Sequence, residues 1–198
     1  MSPIAHFLAS WTLADAARLG ARDRGLVTWC GILPDLDGLG VAVDLGNRLL
    51  GRPESWYYGL YHHSFLHGLA TALLLPAILC IFATERLRVF ILGFVAIHLH
   101  LLGDLVGSRG PGPDDIWPVP YLAPFFDLAT VQWQGQWPLN AWPNVALTIA
   151  FLAYVFMRAA RAGYSPLEMF SARADAGFVG TIRNRWQAIR RSASSRGA

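Results

Sequence analysis

The chain reads as an all-α protein: a membrane-embedded helical bundle around a central antiparallel helical hairpin, closed by an amphipathic C-terminal helix. Three observations predict this. Hydrophobic residues make up 54% of the chain and charged residues only 15%, with a positive mean hydropathy; that balance belongs to membrane proteins or to very apolar helical cores. Two apolar runs, Leu69–Ala83 and Val89–Leu105, flank a short charged break at Thr84–Arg88, the pattern of a helical hairpin. The stretch Ser165–Arg191 sets Phe170, Phe178, Ile182, Trp186 and Ile189 at helical spacing with arginines between them, a basic amphipathic helix that would lie on a membrane surface or on the bundle. The chain thus divides into an embedded domain at 1–164, the basic helix at 165–191, and a small polar tail at 192–198 expected to be disordered.

Taken in order, Ser2-Pro3 starts a helix that runs through HFLASWTLADAARLG to about Gly20 and carries His6 at its beginning. No basic n-region precedes it and Asp15 interrupts it, so it does not read as a secretory signal, and entry into a membrane would be through internal segments. The apolar run Gly25–Leu33 is shorter than the ~20 residues that a span requires. It delivers Pro34-Asp35-Leu36-Asp37-Gly38, either an ordinary surface turn or a tight turn that aims two carboxylates inward. Residues 41–60 read as a connector with a short amphipathic helix. After the hairpin, Gly107–Pro120 is a long Gly/Pro-rich loop carrying Arg109; long irregular loops beside a site are commonly functional. An aromatic-rich stretch, 121–142, precedes a last apolar run, Val145–Met157, short for a span unless Trp142–Asn144 lies at the interface.

Charge sorts by segment end. If consecutive helices alternate in direction, His6, Asp35, Asp37, His62, His67, His100 and Asp104 gather at one end. Arg18, Arg22, Arg24, Arg86, Arg88, Arg158 and Arg161 gather at the other, with Arg48, Arg52 and Arg109 as exceptions. Positive charge is carried by arginine alone. Arginine at one end and aromatics at the other is the pattern of an inner-membrane bundle, which predicts a multi-pass protein with its arginines in the cytoplasm and its His/Asp end toward the periplasm. The basic C-terminus suits an anionic membrane surface, so the expected partner is membrane lipid and not nucleic acid. Cys30 and Cys80 sit in apolar runs and read as buried thiols.

Five of the six histidines lie between Tyr61 and Tyr121. Counted from the hairpin tip, His67 and Asp104 lie equally far out, roughly 26 Å at ~1.5 Å per residue, so an antiparallel hairpin brings them level. His100 and Asp104 are four apart and share one helix face. His63 and His67 are also four apart. His62 and His67 are five apart, about 140° on a continuous helix, so that pair converges only if the helix begins after His62. An imidazole and a carboxylate on one face, opposite a second imidazole, form a metal half-site. The bland alternative is a set of polar caps on two core helices, but burying several ionisable groups in an apolar setting is costly unless they are paired or ligated.

Four separated motifs agree in order: His6; Leu33-Pro34-Asp35-Leu36-Asp37; His62 and His67; and His100-Leu101-Leu102-Gly103-Asp104. Together they resemble the membrane-bound metal-dependent hydrolases, a family that includes bacterial inner-membrane-associated proteins described as LexA-binding hydrolases. The likeness covers roughly residues 1–142, and the His-x3-Asp element is also similar to that of zinc-dependent phospholipases C and related nucleases. The resemblance implies a metal set of His6, Asp35, His62, His67, His100 and Asp104, with His62 preferred over the His63 that helix spacing prefers. Where the family usually has His-Arg-Gly-x-Thr-His, this chain has His62-His63-Ser64-Phe65-Leu66-His67. The missing arginine leaves any anion-binding role to His63 or Arg109. Ligands without cysteine suit zinc, with manganese or iron as alternatives, in a site of one or two ions. Asp35 and Asp37 are the candidates to bridge metals or act as general base, on a phosphoester or lipid-linked substrate. Two other classes fit the sequence: a non-enzymatic membrane metalloprotein, and an adaptor that binds a regulator through its basic tail.

Overall fold

The computed structural model describes residues 1–53, 55–58, 62, 66–123, 125–126 and 130–195, with side chains through Ala188. His63, expected beside the site, lies outside the described residues.

Helix α1 (Pro3–Ala16) starts where Ser2 Oγ accepts the Ala5 N–H at 3.3 Å and Pro3 occupies the first turn. It stops four residues before Gly20, because Arg18 takes a left-handed conformation (φ 59°). Helix α2 (Ala21–Cys30) follows and draws Arg22, Asp23 and Arg24 into its first turns. The Pro-Asp-Leu-Asp-Gly turn is a 3-10 segment, Leu33–Leu39, leading into α3 (Gly40–Leu49). The hairpin is α4 (Leu69–Leu79), finished by a 3-10 turn at Cys80–Phe82, and α5 (Arg86–Gly107). A small antiparallel pair, β1 (Val119–Pro120) with β2 (Thr130–Val131), was not expected from the sequence; Val119 faces Val131 and Pro120 faces Thr130. Helix α6 spans Trp142–Arg161.

The C-terminal amphipathic segment is two pieces instead of one helix from residue 165. Ser165 caps a 3-10 turn, Pro166–Met169, and Ser171 Oγ then accepts the Ala174 N–H at 3.2 Å at the start of α7 (Ala172–Ser195). The backbone stays helical through Ser195, so four of the residues expected in a disordered tail continue α7; serine and alanine can propagate a helix already nucleated.

Helix α5 is the hub, packing on α1, α2 and α4, while α6 packs on α1 and carries α7. Its buried stripe, Val89, Gly93, Ala96, Ile97, His100, Gly103, Asp104 and Gly107, repeats every three or four residues. Its small members allow close approach of neighbouring helices. At Gly93 an added Cβ would stand 2.8 Å from Cys30 Sγ and 3.0 Å from Pro76 Cβ, so α2 and α4 meet α5 there. The last four carbonyls of α5, which no helical N–H can reach, are taken from outside. Gln136 Nε2 donates to Asp104 O (2.8 Å) and Leu105 O (3.2 Å), Trp137 N–H to Val106 O (3.0 Å), and Asn144 Nδ2 to Gly107 O (2.8 Å).

Two described helices are long and apolar enough to cross a bilayer: α5, with mean hydropathy 2.1, and α6, with 1.4. The sequence pointed to the two hairpin arms. The first arm is cut short at Leu79, three residues past the internal Pro76, and α6 instead reaches 20 residues by taking in Trp142–Asn144 and Arg158–Arg161. Helix α2 and the Leu33–Leu49 segment pass the same test only as one span bent by 47°. Exposed apolar side chains cover the outer faces, among them Leu74, Ile81 and Ile91 on the hairpin and Ile149 on α6.

Alternation of direction holds. At the arginine end, Asp23 accepts the Thr84 and Glu85 N–H groups at 2.9 and 2.8 Å, and an Arg88 Nη donates to Ala17 O. Two of the arginines there are not loose surface charges. Buried Asp15 pairs with Arg24 (3.3 Å) and Arg158 (2.7 Å) and accepts the hydroxyls of Tyr154 and Tyr164, both at 2.7 Å. Arg24 also pairs with Glu168 at 2.6 Å, which ties the C-terminal segment to α1 and α2.

Candidate metal centre

The stripe that buries α5 in the bundle ends in His100 and Asp104, one turn apart. Helix α1 brings His6 from its first turn, and Gly103 makes room for it: a Cβ there would stand 3.1 Å from His6 Cε1. The His6 and His100 rings stack at 3.8 Å between centroids. The 3-10 segment supplies Asp35 and Asp37. His62 and His67 come from the segment before α4. Helix α4 begins at Leu69, after both, so the helical separation that would have kept His62 from His67 does not apply. His6, His67, His100 and Asp104 are all 2% exposed or less.

These six predicted ligands converge, with Asp37 among them. His67 Nε2 and Asp104 Oδ2, expected at one level, are 3.6 Å apart. His6 Nε2 is 3.1 Å from Asp104 Oδ1, and His100 Nε2 is 3.1 Å from Asp104 Oδ2 and 3.8 Å from Asp35 Oδ1. One ligand atom from each of His6, Asp35, His100 and Asp104 lies within 4.8 Å of all the others.

The hydrogen bonds around the rings fix which nitrogens face inward. His100 Nδ1 donates to Gly31 O at 2.9 Å, so a neutral ring presents the Nε2 lone pair to Asp104. His67 Nδ1 donates to Asp37 Oδ2 at 2.9 Å and His62 Nδ1 to Asp37 Oδ1 at 2.8 Å. With both rings neutral, the Nε2 atoms of His67 and His100, 3.0 Å apart, meet lone pair to lone pair. Asp35 Oδ2 and Asp104 Oδ2 are buried with no hydrogen-bond donor among the described residues. Lone pairs and carboxylate oxygens aimed at one another in an apolar bundle are unfavourable without a positive centre between them. Tetrahedral ligands at 2.0–2.2 Å from an ion stand about 3.3–3.6 Å from one another. The observed separations bracket that range, so this donor set fits a divalent cation. Carboxylate support of ligating imidazoles is how metal sites set tautomer and ring orientation.

Burial, followed by the nearby His100 ring, pushes His6 down to about 4 against the upward pull of Asp104, so its ring is neutral at physiological pH. The Met1 amino group contacts Asp104 Oδ1, and Ser108 Oγ donates to the same oxygen at 2.7 Å. His98 turns away from the cluster, donating to Phe94 O at 2.8 Å with Tyr121 OH 3.0 Å from its other nitrogen.

A cavity of about 880 Å³ opens onto the cluster, lined by Asp35, His62, Tyr58 and Ser108 on its polar side and by Leu39, Val41, Pro111 and Leu139 on its apolar side. Arg109 also lines it, and its Nε is buried with no hydrogen-bond partner among the described residues. Tyr58 stacks 4.5 Å from His62, and burial together with Asp35, Asp104 and Asp37 pushes its phenol up, so it stays protonated. Sequence reasoning missed Gln136, Asn144, Ser108 and the Gly31 carbonyl. Their roles depend on chain returns that no local pattern encodes. Of the two carboxylates predicted as catalytic, Asp37 gives both oxygens to histidines, while Asp35 keeps one oxygen unpartnered.

A family model described as YdjM inner membrane protein matches residues 1–182. No curated protein and no solved structure matches the chain.

Proposed function

The chain belongs to the YdjM inner membrane protein family, and from that premise we propose that it is a multi-pass, metal-dependent hydrolase acting on a phosphoester or lipid-linked substrate at the membrane. His6, Asp35, His100 and Asp104 would hold the ion, with His62 and His67 completing its surroundings or holding a second one. A divalent cation there, zinc by its ligands with manganese or iron as alternatives, supplies Lewis-acid polarisation of a phosphoryl or carbonyl oxygen and acidifies water. Asp37 holds His62 and His67 in the required tautomer. Asp35, which lines the cavity and has one oxygen without a donor among the described residues, takes the proton from the attacking water as general base. Arg109 receives the anionic group of the substrate, and Leu39, Val41, Pro111 and Leu139 accommodate its apolar part. The arginine-rich opposite end would face the cytoplasm and the cavity the periplasm.

The observation that carries this reading is the pair of buried carboxylate oxygens, on Asp35 and Asp104, without donors among the described residues, beside a cavity that Asp35 and Arg109 both line. The test is hydrolysis of a panel of aryl and lipid phosphoesters by zinc-loaded, detergent-purified protein. Activity present in the wild type, lost in Asp35→Asn and Asp104→Asn and raised in KM by Arg109→Gln supports it. Activity equal in all four proteins, or absent from a wild type that holds the ion, contradicts it.

A further inference from the structure

At the other end of the bundle, the C-terminus of α6 and the middle of α7 enclose a cavity of about 540 Å³ lined by Ala160, Arg161, Arg183, Trp186 and Gln187. We propose that this cavity binds the phosphate head group of an anionic phospholipid.

Arg183 Nε donates to Ala160 O at 3.2 Å, one of the carbonyls left over at the end of α6. Its guanidinium lies over Gly163, which has φ +84° and where a Cβ would stand 2.5 Å from Nη2. Both the conformation and the close approach require glycine there. The contact fixes the stem of Arg183; among the described residues, its Nη groups and the Arg161 guanidinium have no hydrogen bond. The nearby acids are engaged elsewhere: Glu168 with Arg24 at 2.6 Å, and Asp175 with the Ser165 hydroxyl at 2.6 Å and its N–H at 2.8 Å. Two guanidinium groups on one cavity without a carboxylate suit a phosphate, whose oxygens match their planar forks.

Position selects the lipid as the source of that phosphate. Helix α6 is 20 residues long, about 30 Å at 1.5 Å per residue, which matches the hydrocarbon thickness of a bilayer. With Trp142 at one interface, Arg161 falls at the other, at the level of the head groups. Trp186 on the cavity wall is 47% exposed; such a side chain anchors at that depth. Basic pockets beside membrane helices on the cytoplasmic side are the usual seats of anionic head groups. Nothing in this proposal depends on hydrolysis at the opposite end.

The test uses the full chain in a neutral detergent and native mass spectrometry to compare retention of phosphatidylglycerol, phosphatidylcholine and, as a soluble phosphate, glycerol 1-phosphate. The wild type should prefer phosphatidylglycerol. Arg161→Gln, which removes no side-chain hydrogen bond or ion pair among the described residues, should weaken its retention about fivefold, and Arg161→Gln with Arg183→Gln about thirtyfold. Arg173→Gln with Arg185→Gln removes the same charge away from the cavity and should change retention less than about twofold. Equal losses in the two double variants would mean diffuse attraction only and overturn the proposal. So would an absence of head-group preference, or displacement of the lipid by millimolar glycerol 1-phosphate.

Discussion

Replacing Asp37 with asparagine probes the metal centre through the residue that orients it. The carboxylate accepts the Nδ1 protons of His62 at 2.8 Å and of His67 at 2.9 Å. An asparagine keeps the shape but offers one acceptor and one donor. It can serve one ring as before; the other then faces an NH2 group and must turn its Nδ1 lone pair toward it. That ring carries its proton on Nε2, the atom that pointed inward, and cannot ligate through it. Loss of an orienting carboxylate typically costs 10–100-fold in metal affinity. Because one of two rings is turned, the expected loss is near the upper end, about 100-fold or ~2.7 kcal/mol. The assay is equilibrium competition for zinc against a fluorescent chelator in detergent, with thermal unfolding of the metal-free protein as the check on the fold. A variant with unchanged unfolding that holds zinc within about threefold of the wild type would refute the tautomer argument, since no orienting effect of this kind is that small.

Three other outcomes follow from the packing. Gly103→Ala places a Cβ 2.9 Å from Met1 Sδ and 3.1 Å from His6 Cε1, so it should displace His6 and weaken zinc binding in the same competition while leaving α5 helical by circular dichroism. Arg18→Gly relieves the left-handed conformation at φ 59° and should stabilise the protein by about 0.5–1 kcal/mol in chemical unfolding. Asp15→Ala leaves buried Arg24 and partly buried Arg158 without their shared carboxylate, a change that costs about 3–5 kcal/mol. Burial pushes the Asp15 carboxyl up, but the hydrogen bonds from Tyr164, Tyr154 and Arg158 outweigh it and hold it below the ordinary carboxylate range. The stability it contributes is therefore present above its unfolded pKa of about 3.9 and is lost as pH falls through the lower folded value. Unfolding midpoints of wild type and Asp15→Ala should converge over that acid window.

Much of the site was legible because it rides on local periodicity. The 3.6-residue repeat that makes α5 a core helix also sets His100 and Asp104 on one face, and the apolar runs around a charged break bring His67 level with them. Spacing on a continuous helix favoured His63 over His62, and His63 lies outside the described residues. The helix starts only at Leu69, and His62 reaches Asp37 from the segment before it. The extent of the spans was only partly legible. Helix α4 gives way at Leu79 to the Cys80–Phe82 turn, whereas α6 recruits Trp142 and Arg161, which look like flanks by composition. The Asp15 cluster and the capping of α5 by Gln136 and Asn144 were invisible because their partners lie 9–149 and 31–37 residues away along the chain. Only tertiary packing pairs them.

The most direct test is the metal content of the detergent-purified protein by inductively coupled plasma mass spectrometry, wild type beside His100→Ala. His100 is the ring whose inward lone pair is fixed by Gly31 O and which lies closest to Asp104 Oδ2. The account predicts at least one tightly held divalent ion per wild-type chain, with zinc foremost, and its loss from His100→Ala without loss of the protein from the membrane fraction. A wild-type chain with no ion above the buffer blank after growth in metal-replete medium, or equal metal in both proteins, would contradict it.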